Sequence, residues 1–319
     1  MLCFNIDCRV EGSVVKVTKI DSDLFPSLYR AFLHDDDPLS NEQDWRNVFD
    51  YQWENEQGHC GYALLDGDTV VGMMGMVFSE RTIAGAKHKF CNLHTWWVRE
   101  DHRGRSLALL RPVLKLKDYS ITHFTPCDII RAVTQKMGFE QLSSQLTILL
   151  PKKSKTRRSN ETTFDETEIL SKLDAPHARI LLDHRPYRCG HYLLRSGKRQ
   201  CYILYSHVIR HRLPYCHIHY VSDQTVFLEH QLQIRQELLQ RHKARFNAVD
   251  RRLFPTVKFP RSFQFWSPSN AMFKSAGLAE DQIDNLYSDV TMLRLTTLPS
   301  IGHELKQVGR SFLGLERQP

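Results

Sequence analysis

The strongest candidate for a ligand site is the segment 98–108, Val-Arg-Glu-Asp-His-Arg-Gly-Arg-Ser-Leu-Ala. Arg103 and Arg105 place two positive charges around Gly104, immediately before an apolar run that starts after Ser106. Backbone N–H groups in the first turn of a helix lack intrahelical partners, and the helix dipole adds positive potential there, so such a turn binds phosphate oxygens. The segment therefore predicts a pyrophosphate site, and a solvated basic turn is the alternative interpretation.

The residues just before this segment carry groups suited to proton transfer. Residues 91–98 read Cys-Asn-Leu-His-Thr-Trp-Trp-Val, which favours a strand, and regular alternation puts Asn92, His94 and Trp96 on one face. Imidazole titrates near neutral pH, so His94 is the candidate general base, directly or through water, with Asn92 as the second catalytic candidate. A histidine that only hydrogen-bonds within the sheet fits the pattern equally well.

The elements that must position these groups can be predicted from the flanking sequence. Asp66-Gly67 favours a tight hairpin turn between two strands, and Gly138 is a typical helix C-terminal stop. The predicted order is strand, turn and strand over 61–77, the strand 91–98, the basic turn and a helix, a strand at 120–125, a helix at 128–137, and a last strand ending at 146–150.

The run Arg103-Gly104-Arg105-Ser106-Leu107-Ala108 resembles the acyl-CoA-binding motif of the GNAT acetyltransferases, Arg/Gln-x-x-Gly-x-Gly/Ala. The order of predicted elements over the first 150 residues is similar to the order in that family. Ser106 departs from the motif, because the family usually has glycine there. The resemblance implies an α+β, three-layer fold whose mixed, mostly antiparallel sheet is flanked by helices, with acetyl-CoA or another acyl-CoA as co-substrate and no metal.

The resemblance also implies roles for individual residues. The backbone of Trp97, Val98 and Arg99 would contact pantetheine and polarise the thioester carbonyl, and Cys127 stands where many members have an asparagine that contacts the cofactor arm. The implied cofactor-binding set is Trp97, Val98, Arg99, Arg103, Gly104, Arg105, Ser106, Leu107, Ala108 and Cys127. The family's usual proton-donating tyrosine falls at Thr134, so the donor is unassigned. A nucleophilic Cys127 near His123 is an alternative.

The second half of the chain repeats the first in outline. Residues 60–65, Cys-Gly-Tyr-Ala-Leu-Leu, are echoed by 189–194, Cys-Gly-His-Tyr-Leu-Leu, and both precede a turn and a further strand. Near the end, 267–269, a helix, Gly277-Leu278 and a strand at 290–295 are predicted to match 125–127, the helix, Gly138-Phe139 and 146–150. The predicted domains are a GNAT domain at 1–150, a basic linker at 151–165, and a degenerate GNAT-like domain at 166–319.

The second half lacks a phosphate turn in its sequence. Residues 222–228, Ser-Asp-Gln-Thr-Val-Phe-Leu, contain neither glycine nor arginine, and Asp223 would repel a pyrophosphate. A helix is predicted over 226–246. His217 and His219 alternate on a strand and could ligate a metal, but a site needs three or four ligands and no others stand at suitable spacing, so structural or solvent-facing histidines are favoured.

Composition limits the class of protein and its compartment. The chain has 319 residues, a formal net charge of +7 and eight cysteines without a Cys-x-x-Cys pair. The charge suits an anionic ligand or an acidic carrier protein, and no interleaved basic and aromatic block indicates nucleic-acid binding. Residues 1–8 lack the pattern of a secretory signal, and no apolar run is long enough to span a membrane, so a cytoplasmic protein with reduced cysteines is predicted. Its oligomeric state is unknown.

The predicted activity is transfer of an acetyl group from acetyl-CoA directly to the amine of a small molecule, such as an amino sugar. Two alternatives stay open. One is an acyltransferase that takes long chains from acyl-CoA or acyl carrier protein. The other is a non-catalytic acyl-CoA-binding or interaction protein, suggested by Ser106 and Thr134, which depart from the catalytic pattern.

Overall fold

The computed structural model describes residues 15–34, 36, 40–152, 160–210, 212–266, 271–295 and 298. The predictions for 1–8, for 153–159 of the linker and for 267–269 lie outside the described residues. The strands are β1 Lys16–Lys19, β2 Gly61–Asp66, β3 Thr69–Ile83, β4 Ala86–Val98, β5 Tyr119–His123, β6 Glu140–Gln141, β7 Gln145–Leu149, β8 Glu161–Thr163, β9 Cys189–Ser196, β10 Arg199–Arg210, β11 Leu213–Val221, β12 Phe246–Asp250, β13 Ser262–Trp266 and β14 Met272–Lys274.

The helices cover the two sheets that these strands form. They are α1 Phe25–Leu28, which continues as a π-helical turn over Tyr29–Leu33, α2 Glu42–Phe49, α3 Leu107–Val113, α4 Asp128–Lys136, α5 Glu166–Lys172, α6 Ala175–His184, α7 Gln224–His242 and α8 Asp289–Met292. The helix predicted over 226–246 therefore ends at His242, and Phe246 begins β12. No helix in the described ranges is both long and apolar enough to cross a bilayer.

The two sheets have the same arrangement of strands, and each sheet contains one strand from the other half of the chain. The first sheet has the order β1-β2-β3-β4-β5-β14-β6, and the second has the order β13-β7-β12-β11-β10-β9-β8. Only β4 with β5 and β11 with β12 are parallel among the described pairs. The predicted mixed, mostly antiparallel sheets flanked by helices are confirmed.

The predictions for the last strand of each half were wrong. Residues 146–150 were expected to close the first domain, but β7 lies in the second sheet between β12 and β13, while β14 fills the corresponding place between β5 and β6. Residues 290–295, expected as a strand, instead contain α8 and the turn after it. The described residues 271–278 hold no helix. The boundaries 1–150, 151–165 and 166–319 stay a prediction.

The first sheet has two differently covered faces. On what we call the α3 face, Met74, Met76 and Leu93 pack with Leu109 and Leu110 of α3. On the opposite face, called the α2 face, Met73 and Val77 share a core with Trp45 and Phe49 of α2 and with Leu193 of β9. Burial of apolar surface therefore joins the two halves through the α2 face.

Candidate active site

The strands β4 and β5 separate at the point where the sequence places its catalytic candidates. Their parallel pairing runs from Lys89 opposite Tyr119 to Asn92 opposite Thr122 and then stops. β4 continues to Val98, whereas β5 ends at His123. Beyond Asn92, one edge of β4 therefore has no strand neighbour among the described residues, and its backbone groups on that edge are available to an extended ligand.

A β-bulge lies in this separated part of β4. Gly75 is opposite His94 and Met73 is opposite Trp97, so β4 has one extra residue between these pairs. Thr95 in the bulge has φ of 45°. The left-handed region is unfavourable for a β-branched residue, costing of order 1–3 kcal/mol, so the surrounding structure must hold it there. Bulges of this kind re-aim neighbouring side chains.

The bulge overturns the predicted common face of Asn92, His94 and Trp96. The Trp97 ring lies 4.1 Å from that of Phe32, and the His94 ring lies 5.3 Å from that of Phe49, both on the α2 side. Trp96 instead packs with the residues of the α3 face. The extra residue reverses the alternation, which is why Trp97 rather than Trp96 joins His94.

His94 and Asn92 are both buried on the α2 face. Burial, with a smaller contribution from His123, lowers the pKa of His94 to about 3, so the imidazole is neutral and weakly basic at pH 7. That environment does not favour the predicted role as general base. Asn92 donates through Nδ2 to Thr122 Oγ1 at 3.2 Å and accepts at Oδ1 from the Asp289 N–H at 3.1 Å, which ties three segments together.

The basic turn forms a short 3₁₀ helix, Glu100–Arg105, between β4 and α3. Arg103, Gly104 and Arg105 are exposed. Ser106 has helical backbone angles and makes no side-chain cap, so its hydroxyl is not used to begin α3. Leu107 is exposed and Ala108 is half-buried. The predicted order of strand, basic turn and helix is thus present.

The turn is anchored at its start. The Arg99 N–H donates to the Val71 carbonyl at 2.9 Å, so this amide is already used by the sheet edge. His102 contacts Asp66 at 3.2 Å and Asp101 at 2.8 Å, and its hydrogen bonds to these two carboxylates raise the pKa of the imidazole. The turn is therefore held to the β2–β3 hairpin, while Arg103 and Arg105 point to solvent.

Neither residue considered for later steps has the surroundings of an acid or nucleophile. Thr134 is buried and its Oγ1 lies 3.0 Å from the carbonyls of Ile130 and Arg131, so its hydroxyl proton is used within α4. Cys127 is exposed at the start of α4 and makes no side-chain cap. In the described structure its thiol has no hydrogen bond to His123.

At the cleft, Trp96 Nε1 and His123 Nδ1 are buried without a hydrogen-bond partner among the described residues, as is His94 Nε2 on the α2 face. Trp96 is on the α3 face, and His123 continues the alternation of Tyr119 and Ile121, which also pack there. Burial lowers the pKa of His123 to about 4, so its ring is neutral at pH 7. An unpartnered buried donor or acceptor is costly, so both atoms favour a polar ligand.

Sequence reasoning missed Asp289, which reaches the same cleft from the second half. Its carboxylate Oδ2 accepts from Thr125 Oγ1 at 2.7 Å, while Oδ1 is buried without a partner among the described residues. Burial raises the pKa of this carboxyl to about 6. The residue follows Ser288 in an ordinary helix-start sequence, and no local signal distinguishes it from a surface aspartate.

The matching place in the second half is closed to an anion. Asp223 precedes α7 and its Oδ1 accepts from the Val226 N–H at 2.9 Å, so the helix start is satisfied by a residue of the chain itself. His219 contacts Ser206 Oγ at 2.8 Å, and its ring lies 4.2 Å from that of His217. No group of three or more potential metal ligands occurs in the ranges that the structure describes.

The comparisons with known proteins agree with this geometry. Residues 21–110 match the sequence profile described as the acetyltransferase (GNAT) family. A search of curated proteins found no match. Among solved structures, a GCN5-related N-acetyltransferase from Kribbella flavida has 12% identity and a TM-score of 0.55, with 82% of this chain and 70% of that chain covered. One from Anabaena variabilis has 12% identity and a TM-score of 0.54, with 82% and 72% covered.

At such identities the structural likeness concerns the fold alone. The matched profile adds the sequence evidence, because it spans β2, β3, β4 and the basic turn and reaches into α3. The matched segment thus contains the open edge of β4 and the basic turn described above. Residues 21–110 therefore carry the sequence pattern of the GNAT acetyltransferase family, within a chain that has the fold of GCN5-related N-acetyltransferases.

Proposed function

We propose that this protein is an acyl-CoA-dependent N-acetyltransferase that moves an acetyl group from acetyl-CoA directly to an amine of a small molecule. The observation that carries the proposal is the separation of β4 from β5 after Asn92 and Thr122, followed by the bulge at Thr95 and the Arg103-Gly104-Arg105 turn. An extended thioester arm fits the open strand edge, and its phosphates fit the basic turn.

Gly104 supports phosphate binding at this turn. A Cβ built on Gly104 meets nothing within 4 Å, and the residue does not have a positive φ. Neither the backbone conformation nor the packing of the protein therefore requires glycine at this position. Close approach of a ligand to the backbone is a physical reason for glycine here. Arg103 and Arg105 would add charge-assisted hydrogen bonds to the phosphates.

The unpartnered groups of the cleft support the position of the pantetheine arm. Pantetheine contains two amide groups, each with a donor and an acceptor. Trp96 Nε1 donates only, whereas a neutral His123 either donates or accepts at Nδ1 according to its tautomer. We propose that these two atoms bind the arm on the α3 face, together with backbone groups of Trp97 and Val98. The Cys127 thiol lies at the start of α4 and is placed beside the arm in this proposal.

The acceptor class is a small-molecule amine, and amino sugars are the first candidates to test. The experiment measures acetyl-CoA binding by calorimetry and thiol release with glucosamine, spermidine, tyramine and lysine as acceptors. Binding accompanied by amine-dependent thiol release supports the proposal. A protein that neither binds acetyl-CoA nor is stabilised by it contradicts the proposal, because a ligand of the native state must raise the melting temperature.

A carrier-protein donor is the second candidate. Leu107 is 50% exposed in the first turn of α3, directly after the basic turn, and Ile129 is 77% exposed in the first turn of α4. Exposed apolar groups beside arginines suit an acidic helical partner that carries a thioester. Thiol release from long-chain acyl carrier protein, without release from acetyl-CoA, would favour this candidate.

A further inference from the structure

We propose that Asp289, supplied by the second half of the chain, receives the ammonium group of the acceptor and accepts its proton before attack on the thioester. The inference rests on the proposed function and adds a residue and an acceptor class to it. The acceptor is an alkylamine that is cationic in water, rather than an arylamine or an alcohol.

The carboxylate is fixed at the point where the two strands separate. The Asp289 N–H donates to Asn92 Oδ1 at 3.1 Å, and Thr125 Oγ1 donates to Asp289 Oδ2 at 2.7 Å. Asn92 belongs to the last registered pair of β4 with β5, and Thr125 follows the end of β5. Asp289 is thus hydrogen-bonded to both the β4 side and the β5 side of the gap between these strands, where a thioester would bind.

One oxygen of this carboxylate makes no direct hydrogen bond in the described structure, although the N–H groups of Asp289 and Val290 lie close enough to lower the pKa of the carboxyl. Asp289 has no exposed surface, and its Oδ1 has no partner among the described residues. A buried carboxylate is stable only when its oxygens are paired or hydrogen-bonded. An ammonium group offers three donors and a compensating charge, so it satisfies Oδ1 in a way that an uncharged nitrogen does not.

No described arginine or histidine hydrogen-bonds to Asp289 Oδ1. Arg81 is held by Asp284 through two hydrogen bonds, and Arg252 is held by Asp250 and Asn285. Burial lowers the pKa values of His94, His123, His184 and His217 to about 3 or 4, and that of His219 well below its usual value, so these buried rings are neutral at pH 7. The carboxyl keeps a raised pKa, about 6, chiefly because it is buried.

The proposed reaction converts an ammonium group and a thioester into an amide, a thiol and one proton. The ammonium nitrogen gives one proton to the Asp289 carboxylate, and its lone pair forms the C–N bond with the thioester carbonyl carbon. The C–S bond then breaks, its electron pair goes to sulfur, and the nitrogen loses a second proton. The thiolate takes up one proton and the other is released to solvent, leaving an amide and a free thiol.

The test compares Asp289→Asn with Asp183→Asn in the full chain. Asp183 is a matched control because burial also raises its pKa, yet its Oδ2 accepts from Tyr287 OH and it does not contact β4 or β5. The assays are acetyl-CoA affinity by calorimetry, and thiol release with spermidine, tyramine and glucosamine, with aniline as the uncharged amine. For Asp289→Asn we expect at least a 100-fold loss of kcat/KM with alkylamines and an acetyl-CoA affinity within twofold. Asp183→Asn is expected to keep kcat/KM within threefold.

A second variant keeps the carboxylate and changes only its proton affinity. Thr125→Val removes the largest of the hydrogen-bond contributions that lower the pKa of Asp289. The acid limb of kcat/KM against pH should therefore move to higher pH, which a purely structural role would not produce. An unmoved limb, equal turnover by Asp289→Asn and the parent, or transfer to aniline but to no alkylamine would overturn the inference. Absence of acetyl-CoA binding would instead overturn the proposed function.

Discussion

The imidazole of His94 lies directly over the Cα of Gly75 on the neighbouring strand. A Cβ built on Gly75 would come within 2.1 Å of His94 Cε1 and 2.4 Å of Nε2. The two residues are opposite each other in the β3–β4 register, next to the bulge. Glycine at position 75 is therefore what allows His94 to lie flat against the sheet on the α2 face.

This contact predicts the effect of Gly75→Ala. The added methyl must displace the His94 ring, which is confined by Phe49, so we expect a loss of about 1–3 kcal/mol of unfolding free energy from overpacking. The measurement is urea denaturation. Combining Gly75→Ala with His94→Ala should recover much of the loss, because the colliding ring is absent. Additive losses in the double variant would mean that the two side chains do not compete for this space.

Reversal of charge in the basic turn should remove acyl-CoA binding without affecting the fold. Arg103 and Arg105 are exposed, so Arg103→Glu with Arg105→Glu is expected to leave the melting temperature within a few degrees and to lower acetyl-CoA affinity at least 100-fold. Lys198→Glu with Lys258→Glu, two exposed lysines of the second half, is the control for net charge. Calorimetry at fixed ionic strength distinguishes the pairs, and equal affinities would contradict the phosphate site.

Gly104→Ala tests whether ligand binding, rather than folding, requires glycine at this position. Because a Cβ at this position meets nothing, the variant should be as stable as the parent or up to about 1 kcal/mol more stable, since alanine loses less conformational entropy on folding. Acetyl-CoA affinity should nevertheless fall at least tenfold. Gly277→Ala, at a position equally free of neighbours, is the control and should bind normally. Full affinity in Gly104→Ala would show that no ligand approaches this backbone closely.

Mildly acidic pH should lower the free energy of unfolding of the protein. Burial lowers the pKa of His94, His123, His184 and His217 to about 3 or 4, and that of His219 well below its usual value. A depressed histidine pKa means that the unfolded chain binds protons first, so stability is complete well above about pH 6.5 and is lost as pH falls toward the folded pKa. Each such histidine contributes about 1.4 kcal/mol per pH unit in that range.

The measurement is urea denaturation at pH 7.5, 6.5 and 5.5 at constant ionic strength. For the five histidines we expect a loss of about 2 kcal/mol between the first two values and a further loss of about 5 kcal/mol at the third, which is comparable with the total stability of a typical domain. The raised pKa of Asp289 acts in the opposite direction and offsets part of the fall. An unfolding free energy that is constant from pH 7.5 to 5.5 would contradict the burial of these histidines.

Local sequence patterns determined much of the secondary structure of this protein. The hairpins at Asp66-Gly67 and Ser196-Gly197, the strand before the basic turn and the helices on either side of β5 follow from turn chemistry, alternation and stop signals. The position of the turn that carries Arg103 and Arg105 follows from the same signals.

Tertiary structure decided which residues meet. The bulge at Thr95 depends on pairing with β3, so alternation alone wrongly put Trp96 on the face of His94. The exchange of β7 with β14 depends on which sheet edge each strand meets after a long connection, and strand sequence does not encode that partner. His94 lost the basicity expected of an imidazole because it is buried against Phe49 on the α2 face. Asp289 gained its place at the cleft because a segment distant in sequence folds back onto Asn92 and Thr125, and burial there, rather than residue type, sets its proton affinity.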